Sequence, residues 1–148
     1  MSLVVALAAC GGAPPAEGPG TSARVDHVVD GGTVWLTGIG KVRLIGVDTP
    51  EVYGTDECFG PQASAYAKRV LPPGRRVRYR LGVEERDRYG RALAYVYLED
   101  GRLFNELLAE EGYAQPLTIP PNDELAGRFV AAARQAREAN RGLWNACR

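Results

Sequence analysis

Between residues 24 and 47 the chain alternates short apolar-patterned runs with glycine pairs: RVDHVV (24–29), DGG (30–32), TVWL (33–36), GIG (38–40) and KVRLIGV (41–47). Runs this short are below the length of a stable helix. Their β-branched residues and tight Gly turns read as three consecutive antiparallel strands. A three-stranded meander has one apolar face to cover, so the rest of the chain must supply the cover or close the sheet.

The remaining pattern supplies both. Pro61 opens a helix in which Ala63, Tyr66, Ala67 and Val70 recur at helical spacing, and Pro72-Pro73-Gly74 ends it. RRVRYRL (75–81) alternates arginines with Val77, Tyr79 and Leu81, as a half-exposed strand does. ALAYVYL (92–98) is almost continuously apolar and suits a buried strand. Two helices follow, one with Phe104, Leu107 and Leu108 on one face, the other striped by Leu125, Phe129, Ala132, Ala133 and Ala136. The proline-rich stretch 116–121 reads as the loop between them. Five short strands, one helix between the third and fourth, and trailing helices give a mainly β, α+β fold: a five-stranded OB-type barrel with three helices.

The first 23 residues belong to something else. Residues 1–10 read as a signal remnant, an apolar run leading to Leu7-Ala8-Ala9-Cys10, and 11–23 as a Gly/Pro-rich tether, leaving 24–148 as the folded domain. The LAAC sequence resembles the lipobox of bacterial lipoproteins, which implies lipidation at Cys10, export and attachment to a membrane through that lipid alone. The alternative is an ordinary secretory signal. With Cys10 set aside, Cys58 and Cys147 remain as a possible disulfide, or as two unrelated thiols.

Formal charge is zero, with 18 basic and 18 acidic side chains, so affinity for a polyanion has to come from a local patch. Candidates are the arginines at 76, 78 and 80 and at 86 and 88. His27 is the sole histidine and sits within a strand pattern, which argues against a Ser–His–Asp or Cys–His catalyst and against Cys/His zinc sites. The glycines of 38–46 precede a strand with no helix behind it, so they form no phosphate loop.

Carboxylates and arginines are left, and they gather in RLIGVDTPE (43–51) and its surroundings. Asp30, Asp48 and Glu51 stand at turns or strand ends, where hard oxygen donors suit Ca²⁺ or Mg²⁺. Arg43, inside a strand, needs an anion or a partner. A regular strand would put Arg43 and Asp48 on opposite faces, about 16 Å apart. Their convergence requires a break, and Gly46 is the place for one.

VVDGGTVWL (28–36), VRLIGVDTPE (42–51), FGPQASAYAKRVL (59–71), DRYGRALAYVYLEDGRLFNELLAEEGYA (87–114) and RGLW (141–144) together resemble the thermonuclease, or staphylococcal-nuclease-like, family. The resemblance implies a five-stranded OB barrel and Ca²⁺-dependent hydrolysis of DNA or RNA; nothing in the sequence suggests more than a monomer. It implies Glu51 as general base or water-orienting group and Arg43 and Arg91 as the phosphate clamp. It makes Asp48 and the Thr49 carbonyl calcium ligands, and Tyr89 a neighbour of the bound nucleotide.

The chain departs from the family pattern at Asp30-Gly31-Gly32-Thr33, where the family reads Asp-Gly-Asp-Thr. Gly32 occupies the position of a second calcium carboxylate, with Asp30, Asp56 and Glu57 as nearby acids. The family's usual tyrosines in the loop after the second helix are also missing from QPLTIPPN (115–122). Two functions stay open: a calcium-dependent nuclease with a weakened metal site, and a catalytically inactive OB module that binds nucleic acid or a protein.

Overall fold

A computed structural model describes residues 20–54 and 57–147. The expected signal, lipidation site Cys10 and most of the tether lie outside the described residues, as does Asp56. The strands are β1 (Thr21–Asp30), β2 (Thr33–Leu36), β3 (Gly40–Leu44), β4 (Val47–Asp48), β5 (Arg76–Arg86), β6 (Ala92–Leu98) and β7 (Gln115–Pro116). The helices are α1 (Gly60–Val70), α2 (Phe104–Glu110), α3 (Ala126–Glu138) and a single turn, α4 (Leu143–Ala146).

Five strands close a barrel in the order β1-β2-β3-β6-β5, with β5 returning to β1. All neighbours are antiparallel except β3 and β6, which run parallel through Val42 opposite Ala92 and Leu44 opposite Ala94. This is the OB-type α+β fold expected from the sequence. Val25, Val34, Leu36, Val42, Leu44 and Val77 are buried in it, while their strand neighbours Trp35, Lys41 and Arg43 reach the outside. In β6 both faces are covered, which explains its unbroken apolar run: Tyr95 meets Phe129 of α3, ring centroids 6.4 Å apart.

Three boundaries differ from the sequence reading. β1 begins at Thr21 rather than Arg24, because Thr21–Arg24 pair with β5. The third strand ends at Leu44 instead of running to Val47. Gly46 takes φ 82°, and a Cβ there would lie 2.2 Å from a ring carbon of Phe129. The positive φ and the ring together admit only glycine at low cost, so the strand must turn at this point. The stretch read wholly as loop begins with β7, where Gln115 and Pro116 pair with Asp48 and Val47.

Two ties fix the periphery. The Cys58 and Cys147 sulfurs are joined, with their Cα atoms 5.8 Å apart, linking the segment before α1 to the end of the described chain. Asn105, fully buried on α2, accepts the Val96 N–H (3.0 Å) and donates to the Ile45 carbonyl (2.8 Å). Among the described residues no helix is long and apolar enough to cross a membrane.

Candidate active site

Arg43 leaves β3 on the outer face yet stays largely covered, its side chain 19% exposed. One terminal nitrogen, Nη1, donates to the carbonyls of Gly32 (3.3 Å) and Leu44 (3.0 Å). The other, Nη2, lies 3.7 Å from the Asp48 carboxylate. Burial draws the guanidinium pKa below its ordinary value; Asp48, Asp30 and Glu51 oppose that, and Arg91 adds to it. Four other candidate charges are therefore within electrostatic reach of Arg43. The turn at Ile45-Gly46 makes this possible, bringing Asp48 back beside Arg43 although five residues separate them.

Asp48 sits on β4, held by β7, and its side chain is 56% exposed. Thr49 is buried against Gly31, where a Cβ would come within 2.9 Å of its side chain. Glu51 has its backbone tied and its carboxylate free. Its N–H donates to the Glu57 carboxylate (3.0 Å), and its carbonyl accepts the Glu57 N–H (3.1 Å). That carbonyl also lies where a Cβ on Gly60 would sit, so the first residue of α1 packs directly on it. Among the described residues the Glu51 carboxylate makes no hydrogen bond or ion pair, which leaves it available to a water.

Arg91 comes from the loop between β5 and β6, and Asp87 organises that loop. One Asp87 oxygen accepts the N–H groups of Tyr89 and Arg91 (2.9 Å each); the other takes the Arg91 Nε–H at 2.6 Å. Partial burial pushes the Asp87 carboxyl up, but the hydrogen bonds from Arg91 and Tyr89 outweigh it and hold the pKa below 3.8. With Nε engaged, both Nη groups of Arg91 remain for another anion. Tyr89 stands exposed beside it, its ring 5.5 Å from the Arg91 guanidinium and 4.8 Å from that of Arg88.

Arg43, Arg91 and Tyr89 line a single cleft of about 410 Å³, whose other wall is aliphatic: Leu93, Leu117 and Ile119. Asn122 holds that wall against β5, accepting the Glu84 N–H (3.0 Å) and donating to its carbonyl (2.9 Å). The other anticipated arginines are partly committed elsewhere. Arg80 pairs with Glu124 at 2.9 Å, and Arg86 donates to the Gly90 carbonyl.

The donors near Asp48 have the right chemistry for a hard cation but are few. Asp30 already accepts the Gly32 N–H (2.9 Å), and a Cβ at Gly32 would lie 2.8 Å from Arg43 Nη1 and 3.2 Å from Thr49 Oγ1. Arg43 thus occupies the space a longer residue 32 would need. No cluster of three or more His, Cys, Asp or Glu poised for a metal occurs among the described residues. Asp48, Asp30 and the Thr49 carbonyl fit a calcium ion in kind, with water and substrate oxygens left to complete its shell.

Residues 41–146, which include β3, the turn, the Glu51 segment and the Arg91 loop, match the family described as staphylococcal nuclease homologue. The chain belongs to that family. It is 40% identical over 147 residues to the endonuclease YhcR of Bacillus subtilis, covering 90% of this chain and 12% of that protein. It is 38% identical over 128 residues to the thermonuclease of Staphylococcus hyicus, with 82% of this chain and 75% of the other covered. With the thermonuclease of Staphylococcus intermedius the identity is 39% over 131 residues, covering 84% and 77%. The chain thus spans a small part of YhcR and about three-quarters of the staphylococcal enzymes.

Within this nuclease-family fold the supporting residues were the ones the sequence reading passed over. Asp87 lay in view in the DRYGR run, four residues before Arg91, a spacing usually read for helices rather than turns. Asn105 interrupts an apolar helix face next to Phe104, and a lone amide there is a signal for buried backbone bonding. Asn122 had no signal, since its partner is 38 residues away.

Proposed function

We propose that this domain hydrolyses phosphodiester bonds of DNA or RNA, dependent on calcium and through a metal site weakened at Gly32. The observation that carries the reading is the convergence of Arg43 and Arg91 on one cleft with Glu51 close by. Arg91, anchored through Nε, and Arg43, anchored through Nη1 with Nη2 beside Asp48, present their remaining N–H groups to the non-bridging oxygens of a phosphate. Those oxygens gain charge as water attacks, so the hydrogen bonds strengthen at the transition state. Glu51, with its backbone fixed and its carboxylate free, takes a proton from the attacking water or orients it. Calcium held by Asp48, the Thr49 carbonyl and Asp30 would neutralise part of the diester's charge. Tyr89 flanks the bound nucleotide.

Gly32 removes a carboxylate from the family's pattern, and losses of even outer metal contacts reduce affinity or activity by about 10–100-fold. Calcium affinity is therefore low in this reading. The same glycine favours a second reading, an inactive module that retains binding. The intact Arg43, Glu51 and Arg91 favour catalysis.

Export belongs to the same proposal. The signal and lipobox would place a lipid on Cys10 and the domain, tethered by 11–23 and acting as a monomer, in an oxidising compartment. There the Cys58–Cys147 bridge would form.

Cleavage of a fluorescent single-stranded DNA by the purified protein, with calcium or with EDTA, tests the reading. Calcium-dependent cleavage that drops about 10²- to 10⁴-fold in Glu51→Gln supports it. DNA binding without cleavage at any calcium concentration supports the inactive module instead.

A further inference from the structure

The register of β1, β2 and β3 arranges the outer barrel face in rows. Arg43 stands opposite Thr33, and Thr33 opposite Asp30, in the row of the candidate site. The adjacent row is Lys41 opposite Trp35, and Trp35 opposite His27. Two residues along a strand separate the rows, a step of about 6.6 Å, comparable to one nucleotide of an extended single strand.

The second row has the composition of a stacking platform. Trp35 is a large exposed apolar side chain, 39% accessible. Its indole lies over Gly40, with ring carbon Cζ3 3.6 Å from the position of a Cβ there. The His27 imidazole stacks nearly parallel to it, at 18° with centroids 5.8 Å apart, and Asp26 holds the imidazole through Nδ1 at 2.6 Å. Lys41 makes no hydrogen bond or ion pair among the described residues. It is one of two lysines in the chain and stands next to Arg43 on the same face.

A phosphodiester at Arg43 carries nucleosides on both sides. The cleft of Leu93, Leu117, Ile119 and Tyr89 has room on the β6 side for one. Leaving across β2, the other meets the exposed aromatic surface of Trp35 and His27.

We infer that Trp35, supported by His27, stacks the base of the nucleotide flanking the scissile phosphate on the side away from the cleft, and that Lys41 takes the next phosphate. The inference rests on the nuclease reading for its choice of ligand. It is carried by continuity of the row with the candidate site and by the unpaired lysine beside an exposed aromatic pair. The occupant is single-stranded nucleic acid, which offers a base face every nucleotide; a duplex keeps its base faces covered.

The test is fluorescence anisotropy of a labelled oligothymidylate about a dozen nucleotides long, and of a base-free deoxyribose-phosphate chain of equal length. Both are titrated with Glu51→Gln protein, to prevent cleavage, carrying Trp35 or Trp35→Ala, Trp35→Phe or Lys41→Ala. Trp35→Ala should weaken oligothymidylate binding about 5- to 100-fold, with Trp35→Phe within a few-fold of the parent. The base-free chain should bind Trp35→Ala and parent alike, and Lys41→Ala should flatten the salt dependence for both ligands. Equal oligothymidylate binding by Trp35→Ala and parent would overturn the inference. So would a dimer of the parent that Trp35→Ala dissociates, since the platform would then be covered by a second copy. Base-dependent binding at Trp35 in a protein that never cleaves would sink the nuclease reading and leave this site standing. Cleavage with a KM unchanged by Trp35→Ala would do the reverse.

Discussion

Asp87, in the lining of the cleft, shows how a single carboxylate can set the geometry of its neighbours. It bonds the backbone of its own loop and the Nε of Arg91, fixing which edge of that guanidinium faces the cleft. Asp87→Asn should therefore lower kcat for DNA cleavage more than it raises KM, as Arg91 loses its alignment with the developing charge. The pH dependence follows from the lowered Asp87 pKa. The charged pair is complete above the ordinary value of 3.8 and disappears as pH falls through the lower folded value. The pair's contribution to stability should accordingly be present at neutral pH and vanish in acid. Acid unfolding of Asp87→Asn, compared with wild type, should lack that part of the pH dependence. Identical acid limbs would contradict the assignment. At this scale the candidate residues Arg43, Asp48, Glu51 and Arg91 were legible because RLIGVDTPE and DRYGR carry them in unbroken runs. Asp87 was less so, because its ion pair with Arg91 is formed by a turn, for which sequence spacing gives no simple rule.

At the scale of elements, the turn between β3 and β4 decides whether there is a site at all. A regular strand would separate Arg43 from Asp48, and the chain avoids this with Gly46 at positive φ beneath Phe129. Gly46→Ala adds both backbone strain and a clash with a buried ring, and should destabilise the fold by at least about 1–3 kcal/mol in chemical denaturation. What folded protein remains should cleave poorly, since Asp48 is displaced with the turn. Wild-type stability in Gly46→Ala would show that the turn tolerates a side chain. Asn105 secures the same turn from the other side through the Ile45 carbonyl. Asn105→Ala strands two buried backbone groups, for about 1–3 kcal/mol each, and thermal melting would register it. The need for a break at Gly46 was legible from strand geometry. The agents that hold it, Phe129 and Asn105, come from helices 83 and 59 positions further along and meet it only in the closed barrel.

Across the whole molecule, the barrel presents its site at the end of β3, and the Cys58–Cys147 link ties the segment after Glu51 to the C-terminal turn. The two cysteines are 89 residues apart in sequence, a loop for which closure entropy amounts to about 4–5 kcal/mol. Reduction should lower the melting temperature by about 10 °C or more in wild type and leave the Cys58→Ser/Cys147→Ser double variant unaffected. A wild-type melting point indifferent to reductant would show that the bridge contributes no such restraint. The five barrel strands, the helix after the third strand and the OB class were all legible, because each apolar run is short and bounded by glycine or proline. The β4–β7 pair was hidden, since two-residue strands leave no periodicity to read.

The most direct test of the account is a calcium titration of initial cleavage rate on single-stranded DNA, wild type beside Gly32→Asp. The new side chain has to displace the tip of Arg43 from its place over residue 32 and shift the Thr49 hydroxyl slightly. Both proteins should cleave, with half-activation in Gly32→Asp at about 10- to 100-fold lower calcium. Coincident titration curves would remove Gly32 as the weak point of the metal site. Cleavage by Gly32→Asp alone, with wild type silent at every calcium concentration, would contradict the claim of a working nuclease and leave a binding domain in its place.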